Sequence, residues 1–177
     1  TAAHHIEKTG DTIAEGDPVK GKRIGRQTVQ FSTPPVIRAA ASVVGRKEGE
    51  GPLRDRFDSV SQDTYFGEKS WERAERRMQQ MTLQLALEKA GLTDADLDAA
   101  FAGDLLNQCI GSSFSLRNRG VPTLGLYGAC STMGESLALA AMSIDGGFAR
   151  RAAAMTSSHF CTAERQYRMP VPYGSQR

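Results

Sequence analysis

Cysteine is scarce, and neither sign of charge predominates. The three cysteines, Cys109, Cys130 and Cys161, are scattered through 177 residues with no CxxC spacing. That is too few for a disulfide framework, and the spacing argues against a zinc site. It predicts a reducing, intracellular compartment. Lys and Arg number 22 against 20 Asp and Glu, a net charge of +2. So even a balance argues against nucleic acid or an anionic membrane as the binding partner. Long apolar runs are missing too. No stretch approaches the ~18–20 apolar residues that span a bilayer, so any membrane role is expected to be peripheral. No secretory signal is visible, and the sequence does not begin with Met.

What is present suits a globular domain: 40% hydrophobic and 24% charged residues. Residues 1–26 hold Gly, Asp, Lys and Thr with few clustered apolar side chains, which predicts a flexible segment with His4 and His5 inert inside it. Order is expected over 27–177. Gln27 to Phe31 alternates polar and apolar residues, a strand signal. After the break at Pro34-Pro35, an apolar run resumes from Val36 to Val44, and residues 47–52 form a Gly-rich turn. The clearest helix runs from Ser70, a good N-cap, to Ala90, with Gly91 as a left-handed stop. Ala74, Met78, Met81 and Leu85 give it a core-facing stripe, and the mixed charges of residues 71–77 read as a solvated face.

Further apolar strands are predicted at Ala99 to Gly103, Val121 to Tyr127 and Ala152 to Thr156, with helices over 112–119 and 130–144. Arg165 and Arg168 fall in a segment with Tyr167, Pro170 and Pro172 that reads as a loop. Alternating strands and helices argue for an α/β fold with a mostly parallel sheet. Ligands of such sheets bind beyond the carboxyl ends of the strands. Asp104, Cys130 and His159 each follow a strand at that edge.

Gly128-Ala129-Cys130-Ser131-Thr132 is the most informative segment. Its small residues permit a sharp turn from strand to helix and put Cys130 at a helix N-terminus. Backbone N–H groups there favour a thiolate, and they also favour a bound carboxylate. Three readings of Cys130 stand open at this level: nucleophile, floor of an anion site, or buried structural cysteine. Gly134, Ala138 and Ala141 make a small-residue stripe on the helix behind it, suited to a central helix buried on most of its surface. Asn107, Ser158, His159 and Arg165 add polar and cationic groups near the same edge, and arginine is well shaped to clamp a carboxylate.

The runs at 47–53, 102–108, 128–132, 144–149, 156–159 and 162–166, taken together from about Gly21 to Arg177, resemble the stage V sporulation protein AD family. These are thiolase-like proteins of spore-forming bacteria. The resemblance implies a thiolase-like fold of two similar α/β halves. This chain would supply the first, a mixed, mostly parallel sheet with a buried central helix, and the second half would be missing. It implies a role in moving dipicolinic acid, pyridine-2,6-dicarboxylic acid, into the developing spore and in its release on germination. It implies binding of that ligand, with or without calcium, rather than turnover, and no cofactor or resident metal. Partners would be other stage V proteins of the spore inner membrane, with the chain peripheral to it, and a second copy in a homodimer. Cys130 matches the nucleophile position of thiolases and ketoacyl synthases, so an acyltransferase is the alternative. Those enzymes draw His or Asn partners from the second half. On this resemblance the ligand contacts are expected at Cys130, Ser131, Ser158, His159, Arg165, Asp104 and Asn107.

Overall fold

A computed structural model describes residues 2–7, 23–24 and 26–168, with the backbone alone for 2–7 and 168. In chain order its elements are β1 (Ala2–Glu7), β2 (Arg23–Ile24), β3 (Thr28–Val29), β4 (Val36–Val44), α1 (Arg46–Gly49), β5 (Ser59–Val60), α2 (Trp71–Ala90), β6 (Ala99–Gly103), α3 (Ile110–Leu116), β7 (Thr123–Leu126), α4 (Thr132–Asp145), β8 (Arg151–Thr156) and α5 (Phe160–Arg168). Six strands form one sheet in the order β5-β4-β1-β8-β6-β7. The β4–β5, β6–β8 and β6–β7 pairs are parallel, and β1 runs antiparallel to both its neighbours. The fold is α/β with a mixed, mostly parallel sheet, as expected.

The central strands β6 and β8 are rich in alanine. Small side chains let helices settle on both faces, so these strands read as continuous apolar runs rather than alternating ones. Alternation still sorts the faces. Ala100, Ala102, Ala153 and Met155 pack against Leu83, Ala86 and Leu87 of α2 and Leu116 of α3. Phe101, Ala152 and Ala154 pack on the other side against Leu126 and against Ala140 and Ile144 of α4. Three layers result, with the sheet in the middle.

α2 begins and ends as its caps dictate. Ser70 Oγ accepts from the Arg73 N–H, and Gly91 closes the helix at φ +69°. Its buried face differs from the expected stripe. Ala74, Glu75, Met78, Gln79, Thr82, Leu83, Ala86 and Leu87 are buried, while Met81 and Leu85 are only half-buried. Glu75 therefore does not belong to a solvated face. Its partners come from distant strand ends, described below.

Four other expectations are corrected. The segment 1–26 was expected to be flexible, but Ala2–Glu7 forms a strand between β4 and β8. A backbone ladder needs extended N–H and C=O groups rather than an apolar pattern, so composition does not reveal it. His4 lies opposite Ala40 on one side and Ala154 on the other. Residues 8–22 and 25 lie outside the described residues. The expected strand at Gln27 is only Thr28–Val29, paired with Arg23–Ile24 apart from the main sheet. The segment holding Arg165 and Tyr167 is helix α5 rather than a loop, and Pro170 and Pro172 lie outside the described residues. Finally, α4 is not buried on most of its surface. It buries Thr132, Ser136, Ala140, Ala141 and Ile144 on the sheet, and it leaves Gly134, Ala138 and Met142 exposed. One face of a helix is enough to cover a sheet, and among the described residues no further layer lies over the other.

Candidate functional site

The carboxyl ends of β7, β6 and β8 lie side by side, with Gly103 opposite Leu126 on one flank and Thr156 on the other. Gly103 is glycine for want of space. A Cβ there would lie 2.2 Å from the Leu126 carbonyl oxygen and 2.4 Å from Thr132 Cγ2. Its own carbonyl accepts from the Ser157 N–H at 3.1 Å and from Gln79 Nε2 at 3.2 Å. So Gly103 ties the start of α4 to the ends of β6 and β8.

Asp104 follows and is 1% exposed. One of its carboxylate oxygens accepts the Leu106 N–H at 2.8 Å. The other accepts both the N–H and the hydroxyl of Ser112, at 2.7 and 2.6 Å. These bonds build the turn into α3. That turn holds Gln108 and Cys109 at φ +60° and +50°. Left-handed backbone at non-glycine residues costs of order 1–3 kcal/mol each and concentrates at functional sites. The Cys109 thiol is buried and donates to the Leu126 carbonyl at 3.1 Å. Burial, and then the Asp104 charge, push its pKa up, so it is no nucleophile.

Cys130 is exposed. It sits in the 3-10 turn Ala129–Ser131, two residues ahead of α4, so the strand-to-helix handover is where the sequence placed it. Ala129 takes φ +48°. The turn is knit by its own hydroxyls: Ser131 Oγ donates to the Gly128 carbonyl at 2.6 Å, and Thr132 Oγ1 donates to the Ala129 carbonyl at 2.9 Å. Glu135, in the first turn of α4, lies against this turn. A Cβ on Gly128 would come within 2.5 Å of Glu135 Oε2, a buried oxygen with no partner. The positive end of α4 therefore already faces a carboxylate of the protein.

The third strand end carries Ser157, Ser158 and His159. Ser158 is exposed and its two neighbours are buried. His159 Nε2 pairs with the Thr64 carbonyl at 2.8 Å, and its Nδ1 is buried without a partner. α5 then straps across the edge. The Tyr167 hydroxyl donates to the Leu105 carbonyl at 2.7 Å and meets the Tyr127 hydroxyl at 2.5 Å. The Tyr127 bond, with burial, pushes Tyr167 up to about 12. The Asn107 N–H donates to Gln166 Oε1 at 2.9 Å. Arg165 points elsewhere than expected. Its guanidinium pairs with Glu72 and lies 5.4 Å over the Trp71 ring, which fixes α5 to the start of α2. Among the described residues no cluster of three or more His, Cys, Asp or Glu could hold a metal, and no helix is long and apolar enough to cross a membrane.

The family Stage V sporulation protein AD (SpoVAD) matches residues 25–177, which include every residue of this edge. The chain belongs to the stage V sporulation protein AD family. Stage V sporulation protein AD of Bacillus subtilis (strain 168) is 44% identical over 156 residues, covering 88% of this chain and 46% of that relative. The chain thus spans about half the length of the curated relative it matches.

Of the residues picked out in the sequence, Asp104, Asn107, Cys130, Ser131, Ser158 and His159 all stand on the three adjacent strand ends, and Arg165 stands on the strap. Asn107, Cys130 and Ser158 face solvent, while Asp104 and His159 hold the turns beneath them. Sequence reasoning missed Glu75, Gln79, Ser112 and Ser157. They form a buried polar cluster under the same edge, with Glu75 and Gln79 both 1% exposed or less. A signal existed, since Glu75, Gln79 and Thr82 follow the helical period. It was masked by the charged residues around Glu75. Also missed were Tyr127 and Gln166, whose roles depend on a helix read as a loop.

Proposed function

We propose that this chain forms the dipicolinate-binding edge of a thiolase-like sporulation protein, which binds the dicarboxylate without turning it over. The observation that carries the reading is the alignment of exposed Asn107, Cys130 and Ser158 beyond three adjacent strand ends. A thiol nucleophile needs a base to take its proton. The imidazole at this edge is buried and bonded to the Thr64 carbonyl, while Cys130 stands exposed with no hydrogen bond to its thiol among the described residues. Cys130, Ser158 and Asn107 supply contact surface for the ligand. Asp104, Ser131 and His159 shape the turns that present them. Arg165 reaches the ligand only by leaving Glu72. In the cell the protein works with other stage V proteins, peripheral to the spore inner membrane, and takes dipicolinate alone or as its calcium salt.

Calorimetric titration of dipicolinate into the full-length protein tests this. Binding is expected, weakened at least about tenfold by Cys130→Leu, the size expected when a bulky side chain occupies a contact of this kind. No heat at millimolar ligand would sink the reading. Glu135→Gln is expected to tighten binding by about threefold to tenfold, because it removes a like charge beside the positive end of α4. Unchanged affinity in that variant would place the ligand away from the Cys130 turn.

The exposure of Cys130 favours a second reading, an acyltransferase. In that case the thiolate attacks the carbonyl of an acyl-CoA thioester, the acyl group passes to Cys130 as the carbonyl–CoA sulfur bond breaks, and CoA leaves as its thiolate, which takes a proton from water. Intact-mass spectra after incubation with acetyl-CoA would then show an added acetyl group that Cys130→Ala removes. No adduct is expected.

A further inference from the structure

Two buried carboxylates beneath the edge stand at the ends of one hydrogen-bond chain. Glu75 and Asp104 are each 1% exposed. The Ser112 hydroxyl donates to Asp104 at 2.6 Å and accepts from Gln79 Nε2 at 3.0 Å. Gln79 Nε2 also donates to Ser157 Oγ at 2.7 Å, and Ser157 Oγ donates to Glu75 Oε1 at 2.8 Å. The direction is fixed from both ends. An ionised carboxylate only accepts, so each serine turns its proton outward and accepts from the amide. The Gln79 carbonyl oxygen is then left to accept, and Ser115 Oγ donates to it at 2.7 Å.

Glu75 also accepts the main-chain N–H of His159. One carboxyl group thus holds both residues that flank exposed Ser158. A proton on Glu75 Oε1 turns that oxygen into a donor, and Ser157 must then direct its own proton elsewhere. His159 Nδ1 and Thr162 Oγ1, both buried without partners, give this loop polar capacity for a second arrangement.

We propose that anion binding at the strand-end edge is proton-coupled, with Glu75 taking up one proton as the ligand settles beside Ser158. The proposal rests on reading this edge as a dicarboxylate site. Burial, together with the Asp104 charge, already pushes Glu75 up to about 7, against the Ser157 hydrogen bond that lowers it. Two more negative charges at the same edge act in the same direction as Asp104. The other groups around Glu75 can be named. On α2 itself, Glu72 is paired with Arg165 of α5, and Arg76 is paired with Glu68. The loop after β8 brings His159, bonded to Thr64. α3 brings serines and no charge, and β4 carries exposed Arg38.

The test is calorimetric titration of dipicolinate, with both carboxyls ionised, into the full-length protein at pH 7.5 in buffers of different ionisation enthalpy. Uptake of up to about 0.75 proton per ligand is expected, because Glu75 near 7 already carries part of a proton at this pH, with affinity falling by up to about tenfold per pH unit well above neutrality. Glu75→Gln is expected to abolish the uptake and flatten the pH profile. Ser157→Ala keeps the carboxyl but removes its donor, so the uptake should move to higher pH. Binding with no proton uptake, or uptake unchanged in both variants, overturns the coupling and leaves the binding reading standing. No binding at any pH overturns both.

Discussion

Gly103→Ala is expected to destabilise the protein by about 3 kcal/mol or more, as overpacking against atoms that cannot yield does. The added methyl would lie 2.2 Å from a backbone oxygen, that of Leu126, and 2.4 Å from the methyl of buried Thr132. Flexible side chains move aside at small cost, but the Leu126 carbonyl belongs to a strand paired with β6 itself. The sheet must open there, or β6 must shift and lose the bonds its Gly103 carbonyl makes to Ser157 and Gln79. A drop of about 6–12 °C in Tm is expected for a chain of this size. Thermal melts followed by circular dichroism would show it. A melting temperature within about 2 °C of the parent would mean that this approach is looser than described.

The second large effect is on pH dependence. Glu75 has a folded pKa pushed up to about 7 from an ordinary 4.5, chiefly by burial. A raised folded value means that the native state binds the proton more tightly than the unfolded state. This group's contribution is therefore fully present below pH 4.5 and is lost as pH rises through 7. The loss amounts to about 3 kcal/mol. Opposing groups act in another window. The Lys89 ammonium holds Asp58 below the usual carboxylate range, so its stabilisation is lost only as pH falls below about 4. Urea unfolding at pH 5, 6.5 and 8 should show the native protein weakening toward pH 8. Glu75→Gln, which keeps one acceptor oxygen for Ser157 and carries no charge, should show no such decline and should be the more stable protein at pH 8. Parallel curves for the two proteins would show that Glu75 titrates as an ordinary carboxylate.

Legibility in the sequence followed the range of the forces involved. The caps of α2 were readable because Ser70 and Gly91 act on backbone within one turn of themselves. β6 and β8 were readable because strands buried on both faces are continuous apolar runs, and β4 because its apolar run resumes after Pro34-Pro35. Asp104, Cys130 and Ser158 were placed because each follows such a strand, and parallel strands end on one edge. β1 was not readable, since its place depends on two neighbours that begin 34 and 149 residues after it does. Arg165 was placed near the site but not on its partner, because an arginine that suits a ligand carboxylate suits Glu72 equally well.

The sequence by itself determined the α/β class, the long capped helix, and the cysteine turn at a strand end, all of them consequences of local periodicity and turn chemistry; that Cys130 is exposed came from the structure. Tertiary structure alone decided what lies beneath that turn. Glu75 meets Ser157 across 82 residues, and Gln79 meets Gly103 across 24. A charge in a helix reads as solvated until strands far along the chain bring it partners. Burial with those partners turns Glu75 from a surface acid into a group that titrates near neutrality.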